Sequence, residues 1–282
     1  MANPLREQAE KIYRHARQGS IDTRRDYKKA FMQFADWLWE NYRVKKLRNI
    51  SNKHLQAYVN YMLAKGNEPS YIYKILSAIR YFHDQLPNPR YELERDNSKL
   101  GVPRREPTGD RSWEEYEYEY LKEKAVEKGE ELIAYFFILA WELGLRIHEG
   151  VRLYRVDLER ALKDGFLITK GKGGRIRSLP LTQAARQAIQ ELKDMTPRGA
   201  RVFVPEGKQA HQVIYKIQRF ILDNRPQREG EQLTAHGLRY SFAQEQLEEA
   251  QEKGLTTEES EKEVSELLGH NRREVTRGYT SS

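Results

Sequence analysis

The sequence predicts a mainly α protein with a small antiparallel β-sheet, divided into an N-terminal helical bundle and a larger second domain. Apolar residues recur at helical spacing along most of the chain. Two short segments of strand character, 166–169 and 176–181, flank a glycine-rich turn and predict one β-hairpin. Four prolines between residues 87 and 111 interrupt the helical pattern and predict the boundary between the two parts.

Length and composition restrict the classes of protein to consider. The 282 residues suffice for two domains of ordinary size. Lys and Arg exceed Asp and Glu by 49 to 42, and this excess favours a polyanionic partner, nucleic acid first and an anionic membrane surface second. The absence of cysteine excludes disulfides, thiolate chemistry and cysteine zinc sites.

The sequence also predicts an intracellular, cytoplasmic protein without a membrane partner. The N-terminal residues 1–6 lack the apolar core of a signal peptide. The longest apolar run, 132–145, includes a glutamate and is too short to span a bilayer, so it predicts a buried helix.

The first hundred residues predict four helices with short connections, which is typical of a compact bundle. In the second of them, Tyr27, Phe31, Phe34 and Leu38 lie at helical spacing. The predicted helices span residues 6–17, run from Asp22 or Thr23 to Tyr42, follow a cap at Ser51, and run from about Pro69 to about Leu86.

Basic residues lie on the predicted outer faces of these helices, with tyrosines nearby. Guanidinium and ammonium groups along a helix face can bind the phosphates of a duplex. The candidates for DNA contact are Arg24, Arg25, Lys28 and Lys74. A solvated helix surface accounts for the same residues, so both interpretations stay open.

Residues 101–111 predict a basic linker between an N-terminal domain, 1–100, and a second domain, 112–282. Arg104 and Arg105 in this linker are further candidates for DNA contact. A linker that is merely soluble is the alternative interpretation.

The second domain mixes helices with short strands. A helix capped by Ser112 runs to Lys128, and the apolar helix that follows ends at Gly144. Beyond the hairpin we predict helices at 182–193 and 209–223, a short strand at 202–204, and helices beginning at His236, Thr256 and about Arg272. The acidic stretch 245–263 predicts a solvated pair of helices.

The C-terminal segment concentrates residues suited to phosphodiester chemistry. A phenol is a poor nucleophile at neutral pH, so an attacking tyrosine needs cations and proton-transfer groups around it. His236, Arg239 and His270 precede Tyr279 in this segment and supply imidazole and guanidinium groups. Each residue alone is more often a packing or capping residue, so the case depends on the whole set.

Four motifs together resemble the tyrosine recombinase (phage integrase) family across the second domain. They are Gly-Leu-Arg-Ile-His-Glu at 144–149, Lys-Gly-Lys-Gly-Gly-Arg-Ile-Arg-Ser-Leu-Pro-Leu at 170–181, Ala-His-Gly-Leu-Arg-Tyr-Ser-Phe-Ala at 235–243, and Leu-Leu-Gly-His at 267–270 with Tyr279 nine residues later. They match the family's first arginine box, lysine hairpin, second arginine box and final box in order and spacing. The N-terminal bundle resembles the family's core-binding domain only in size and pattern.

The resemblance implies roles for individual residues. The catalytic set is Arg146, Lys172, His236, Arg239, His270 and Tyr279, with Glu149 in a supporting role. The two arginines grip the non-bridging oxygens, and the glycine-flanked lysine is the general acid, although Lys170 competes with Lys172 for that role. On the same hairpin, Arg175 and Arg177 are candidates for DNA contact. The resemblance implies neither a metal nor a nucleotide cofactor.

By this resemblance the chain is expected to be a site-specific DNA recombinase or integrase of a mobile element, acting through a 3′-phosphotyrosyl intermediate. The expected partners are double-stranded DNA with specific core sites, other copies of the chain (a dimer at each site and a tetramer in synapsis), and an accessory DNA-bending protein. The expected location is the cytoplasm, in association with the nucleoid, and the expected origin is a prokaryote, a phage or another mobile element. A type IB topoisomerase and a non-catalytic DNA-binding regulator are the alternatives.

Overall fold

A computed structural model of the chain describes residues 3–15, 21–103, 109–171, 174–230 and 232–269. The chain forms two compact units, Met1–Glu106 and Pro107–Ser282. Helices dominate both units, and the described strands form one two-stranded antiparallel sheet. This confirms the predicted fold class.

Four helices form the N-terminal unit because each buries one apolar face against the others. They are α1 (Pro4–His15), α2 (Ile21–Tyr42), α3 (Asn52–Ala64) and α4 (Pro69–Asp84). Phe31 of α2 stacks on Phe82 of α4 with 4.5 Å between the ring centroids, and both rings are buried. Ser51 caps α3 in a capping box with His54, as the sequence predicts for Ser51.

The proline-rich segment after α4 packs onto this bundle as far as residue 103. Its described part holds one short 3₁₀ turn, Ser98–Leu100, and buries Leu93 and Val102 in the N-terminal core. Arg80 Nε donates to the carbonyl oxygen of Glu94 at 2.8 Å, which fixes the segment against α4. The described part of the segment, up to residue 103, therefore belongs to the N-terminal unit.

The second unit is built around α6, which is apolar on nearly every face. Its described elements are α5 (Glu115–Glu127), α6 (Glu131–Leu143), α7 (Ile147–Gly150), α8 (Arg155–Asp164), β1 (Phe166–Lys170), β2 (Ile176–Pro180), α9 (Gln183–Met195), α10 (Ala210–Asn224), α11 (Gly237–Glu252) and α12 (Thr257–Leu268). Strand β1 pairs with β2 in the register that places Leu167 opposite Leu179, and both leucines are buried. No helix in the described ranges is long and apolar enough to cross a lipid bilayer.

Helix α5 begins at Glu115, two residues later than predicted. The N–H of Ser112 donates to Asp110 Oδ1 at 2.8 Å, and the N–H of Trp113 donates to Ser241 Oγ at 2.7 Å. These bonds hold the two residues in a loop, so Ser112 does not cap the helix. The loop fixes the first turns of α11 instead.

One helix of this unit has no counterpart in the sequence prediction, and one predicted strand is wrong. The unpredicted helix is α8, whose buried face consists of only Leu158 and Ala161. Residues 202–204 do not form a strand, since pairing there is limited to an isolated bridge between Tyr154 and Arg201 and a bond from Val202 N–H to a neighbouring carbonyl.

Candidate active site

A tight turn after α6 places Arg146. Gly144 ends α6 with φ +57°, a left-handed conformation that favours glycine, and a Cβ there would lie 2.4 Å from the ring of Phe242. Two residues later, Arg146 is the N-cap of α7. The arginine is therefore held by backbone geometry at both ends of the turn.

We expect Gly144→Ala to destabilise the protein by two separate effects. The left-handed conformation costs an alanine about 1–2 kcal/mol, and overpacking against Phe242 adds about 1–3 kcal/mol. Gly254→Ala is the matched control, because Gly254 has φ +87° and no atom within 4 Å of an added Cβ. Urea unfolding of both variants measures the difference, and equal losses would contradict the close packing at Gly144.

Glu149 of α7 is the buried carboxylate of the site. Its Oε1 accepts from Arg146 Nη1 at 2.9 Å, and its Oε2 accepts from Arg177 Nη2 at 2.5 Å. Only 3% of Glu149 is exposed. Burial opposes its ionisation, but Arg177, the N–H and guanidinium of Arg146, and Arg239 outweigh burial and hold the pKa of Glu149 below its ordinary value.

Arg239 lies on the first turn of α11 and is completely buried. The Ser241 hydroxyl donates to the carbonyl of Trp113 at 3.0 Å, and this bond helps to fix the turn against the loop before α5. Arg239 Nη1 donates to the carbonyl oxygen of Gly144 at 2.5 Å, and its Nη2 donates to the carbonyl oxygen of Leu268. The guanidinium thus joins the end of α6 to the end of α12.

The two motif arginines converge on one acceptor. Arg146 Nη2 also donates to the carbonyl oxygen of Leu268, at 3.4 Å. Two guanidiniums that come from positions 93 residues apart in sequence therefore share one oxygen atom. Planar guanidinium groups in this arrangement suit the oxygens of a phosphate, which accept several charge-assisted hydrogen bonds.

His236 immediately precedes α11 and lies at the edge of a cleft of about 400 Å³ that Arg146 also lines. Burial of its ring, together with the positive charges of Arg239, Arg146 and Arg111, lowers the pKa of His236 to about 4. The imidazole is therefore neutral at pH 7, although His236 as a whole residue is exposed to water at the mouth of the cleft. A neutral imidazole can accept a proton.

We expect this depressed pKa to weaken the fold in acid. Between pH 6.5 and about pH 4 the unfolded chain protonates this histidine while the folded chain does not, so the free energy of unfolding falls as pH falls. His236→Gln should flatten this part of the pH dependence. Unfolding of both proteins in urea from pH 4 to pH 8 provides the measurement, and identical pH profiles would contradict a depressed pKa.

The structure brings together four residues that the sequence motifs select: Arg146, Glu149, His236 and Arg239. Lys170 is exposed at the end of β1. The remaining motif residues, Lys172, His270 and Tyr279, and the linker candidates Arg104 and Arg105 lie outside the described residues. Their roles stay predictions.

The candidates for DNA contact differ in their surroundings. Lys28 pairs with Glu10 at 2.7 Å, and Lys74 pairs with Asp26 at 2.6 Å, both at the surface. Arg25 is exposed and Arg24 is half-buried.

The structure corrects the expectation for one of the two hairpin arginines, and Arg175 stays a candidate for DNA contact. Arg177 is only 4% exposed and is ion-paired with Glu149, so it is not a surface contact for DNA. Arg175 is half-buried and donates to the carbonyl of Gly269 at 3.1 Å. The alternation of buried and exposed residues along β2 could have predicted that Arg177 is buried. Residues 177 and 179 lie on the same face of the strand, and Leu179 is an apolar residue expected on the buried face.

Within the described part of the chain, no group of three His, Asp or Glu side chains is arranged to hold a metal ion. Arginines surround the one buried carboxylate of the site, Glu149. The donor set of the described site therefore suits an anion.

Comparison with known proteins agrees with this fold and site. The phage integrase family matches residues 114–282, and the N-terminal SAM-like domain of phage integrases matches residues 10–87. The first match alone covers more than half of the chain. The chain belongs to the phage integrase family, which confirms the resemblance stated from the four motifs.

Named relatives and solved structures extend the comparison. Tyrosine recombinase XerC of Pseudomonas syringae pv. tomato is 27% identical over 249 residues, covering 84% of this chain and 78% of the relative. XerC of Pseudomonas fluorescens is 34% identical over 154 residues, covering 50% and 45%. These comparisons support neither the topoisomerase nor the regulator alternative.

Two solved structures share the fold. The Tn1549 transposon integrase in complex with transposon right end DNA has a TM-score of 0.69 at 14% identity, covering 99% of this chain and 94% of the integrase. A lambda integrase tetramer bound to a Holliday junction has a TM-score of 0.68 at 16% identity, covering 98% and 76%. At these identities the likeness concerns the fold alone.

Proposed function

We propose that the chain is a site-specific DNA recombinase that cleaves and rejoins DNA through a 3′-phosphotyrosyl intermediate. One observation carries this proposal: Arg146 and Arg239 donate to the same oxygen, the carbonyl of Leu268. Two guanidiniums that share one oxygen atom can share a phosphate oxygen in the same way, once that oxygen replaces the Leu268 carbonyl and reaches Arg239, which is completely buried in this structure. Tyr279 is then the nucleophile, since it follows these arginines closely in sequence and completes the motif set.

The charge of the site fits a phosphodiester in its transition state. Arg146, Arg177 and Arg239 contribute three positive charges and Glu149 contributes one negative charge, which leaves two positive charges. A pentacoordinate phosphorus carries more negative charge on its oxygens than the ground-state diester does. Fixed donors directed at those oxygens stabilise the transition state more than the ground state.

In the cleavage step, the bonds formed and broken and both proton transfers are assigned to named groups. The Tyr279 oxygen bonds to phosphorus as the bond from phosphorus to the 5′-oxygen breaks. His236, neutral at pH 7, accepts the tyrosine proton, and Lys172 donates a proton to the departing 5′-oxygen. His270 donates a hydrogen bond to a phosphate oxygen. The products are a 3′-phosphotyrosyl bond and a free 5′-hydroxyl.

Rejoining reverses these steps with a different strand. A 5′-hydroxyl from the partner duplex attacks phosphorus, the tyrosine leaves, and the proton transfers run in the opposite direction. One phosphoester bond replaces another at each step, so the energy of the cleaved bond is conserved in the intermediate. The chemistry requires no hydrolysis of a nucleotide.

The partners follow from the proposed chemistry and the relatives. Double-stranded DNA with specific core sites is the substrate, and a dimer at each site forms a tetramer in synapsis, as the lambda integrase neighbour does on a Holliday junction. An accessory DNA-bending protein is a further partner. The N-terminal unit supplies part of the DNA surface through Arg24, Arg25, Lys28 and Lys74, and the linker supplies Arg104 and Arg105.

We place the protein in the bacterial cytoplasm, at the nucleoid, in the service of a mobile element. The support is the bacterial source of the XerC relatives and the transposon origin of the Tn1549 integrase. These two comparisons leave the direction of recombination to experiment.

Covalent trapping tests the proposal. Nicked duplexes made from DNA that flanks the gene lose the short strand after cleavage, so the tyrosyl adduct accumulates. The proposal is supported by a DNA band that migrates more slowly in a denaturing gel and that disappears after protease treatment. Mass spectrometry should map the adduct to the peptide that contains Tyr279, and the duplex that gives the adduct locates the core site. Binding to a flank without an adduct on any nicked duplex would contradict it.

A further inference from the structure

Arg177 occupies a buried position where four elements meet. It lies on β2, and only 4% of the residue is exposed. Its Nη1 donates to the carbonyl oxygen of Leu267 at 2.7 Å, and its Nη2 donates to Glu149 Oε2 at 2.5 Å and lies 3.5 Å from the carbonyl oxygen of Gly144. One guanidinium thus joins the hairpin to α7, to the end of α6 and to the last turn of α12.

The end of α12 leaves space for the Arg177 side chain, because the residue after the helix is a glycine. Gly269 follows α12 with φ +64°, and a Cβ there would lie 2.6 Å from Arg177 Cδ. Any other residue would push the chain away from the arginine or displace the arginine from its partners. The residue that follows Gly269 in the sequence is His270, a member of the proposed catalytic set.

Backbone carbonyls at the end of α12 are the shared target of the arginine cluster. The last carbonyls of a helix have no intrahelical partner and form the negative end of its dipole. Arg177 binds that of Leu267, Arg146 and Arg239 bind that of Leu268, and Arg175 binds that of Gly269. This helix end is thus fixed by guanidiniums rather than by apolar packing alone.

Burial separates Arg177 from Arg146. The Arg146 side chain is 25% exposed, while the side chains of Arg177 and Glu149 are each 2% exposed. The Arg146 guanidinium contacts Oε1 of Glu149, while Arg177 contacts Oε2, which also accepts from the Arg146 N–H. Arg177 therefore orients the carboxylate that orients Arg146, and of these two arginines Arg146 is the one exposed enough to contact a phosphate.

We propose that Arg177 is a positioning residue for phosphoryl transfer. It fixes the Glu149 carboxylate against the Arg146 guanidinium, and it holds the last turn of α12 through the carbonyl oxygen of Leu267. The inference rests on the proposed function, since it concerns the same site. Both tasks need a planar group with donors in two directions, which lysine cannot supply.

The test compares Arg177→Lys with Arg177→Met and with a matched control. The control is Arg155→Lys, because Arg155 also joins a carboxylate, Glu159, to a carbonyl, that of Thr196, away from the arginine cluster. For each protein we measure melting by circular dichroism, DNA affinity as a function of salt, and the single-turnover rate of adduct formation on a nicked site.

For Arg177→Lys we expect a folded protein whose DNA affinity is within about threefold of wild type and whose cleavage rate falls about 100-fold, the size of effect that a displacement of about 1 Å produces. The slope of affinity against salt stays unchanged. For Arg177→Met the cleavage that remains should rise with pH, because loss of its strongest positive neighbour raises the pKa of Glu149. Arg155→Lys should cleave at the wild-type rate.

Several outcomes would overturn the inference. Cleavage by Arg177→Lys within threefold of wild type would remove the positioning role while leaving the proposed function intact. A fall in the salt slope by about one would make Arg177 a phosphate contact instead. An absence of adduct with the wild-type protein would overturn the proposed function itself.

A second variant covers the case in which Arg177 variants do not fold. Gly269→Ala keeps the arginine but places a methyl group against its stem. We expect it to bind DNA and to cleave about 100-fold more slowly, whereas Gly254→Ala, with the same backbone strain and no contact, cleaves normally. Equal cleavage by the two glycine variants would contradict the positioning role.

Discussion

Tyr279→Phe should bind DNA as the wild type does and form no covalent adduct. Phenylalanine lacks the oxygen that bonds to phosphorus, so the loss of cleavage is complete, while binding depends on charges elsewhere. Denaturing gels of a labelled nicked duplex measure the adduct, and native gels measure binding.

Tyr215→Phe serves as the control for this experiment, because Tyr215 lies exposed on α10 and outside the site. If Tyr279→Phe still formed an adduct, another tyrosine would be the nucleophile. Tyr240 would be examined first, since its ring centroid lies 5.4 Å from that of His236.

Glu149→Gln should lower the free energy of unfolding and should also abolish efficient cleavage of DNA. The substitution leaves Arg177 buried with its charge uncompensated, and removing one partner of a buried ion pair costs about 3–5 kcal/mol. The orientation of Arg146 is lost with the second carboxylate oxygen. Urea unfolding at pH 7 and single-turnover cleavage measure the two effects.

The pH dependence of this contribution has a definite sign. Because the pKa of Glu149 lies below its model-peptide value of 4.5, the carboxylate stabilises the fold above that pH and loses its effect as pH falls through the lowered pKa. Glu149→Gln lacks this contribution at every pH. Glu159→Gln is the control, since its pair with Arg155 is at the surface and should change stability little. Similar losses in both variants would contradict the buried role of Glu149.

The sequence predicts the class of this protein well because the family motifs are local and specific. The turn at Gly144 and the placement of Arg146, His236 and Arg239 follow from three short motifs. Hairpin register follows from alternation, which pairs Leu167 with Leu179 across the strands. Each of these features is set by residues close together in sequence.

Features set by long-range contacts were harder to predict. Ser112 has the chemistry of a helix cap, yet bonds between neighbouring Trp113 and Ser241, 128 residues away, keep it in a loop. Arg177 is a basic residue of the hairpin, which makes it a candidate for DNA contact, but it is buried in an ion pair. Its partner Glu149 lies 28 residues away in sequence, and the pairing is visible only once β2 and α7 are adjacent.

Helix α8 shows the limit of apolar periodicity as a signal. Only Leu158 and Ala161 are buried in a ten-residue helix, so its hydrophobic pattern is weak. Its ends carry better signals: Asp157 completes a capping box with Tyr154, and Gly165 ends the helix in a left-handed conformation. Capping residues predict this helix where hydrophobic pattern does not.

The arginine cluster recognises main-chain atoms of α12, and this has a consequence for how the helix can vary. Side chains on its outer face can be exchanged freely, because the carbonyls of Leu267, Leu268 and Gly269 persist whatever residues carry them. Helix length is different, since one inserted or deleted residue turns the helix end by about 100° and carries all three carbonyls away from their donors. Insertions are therefore tolerated before α12 and forbidden within it, so a redesigned or recombined α12 must keep its number of residues.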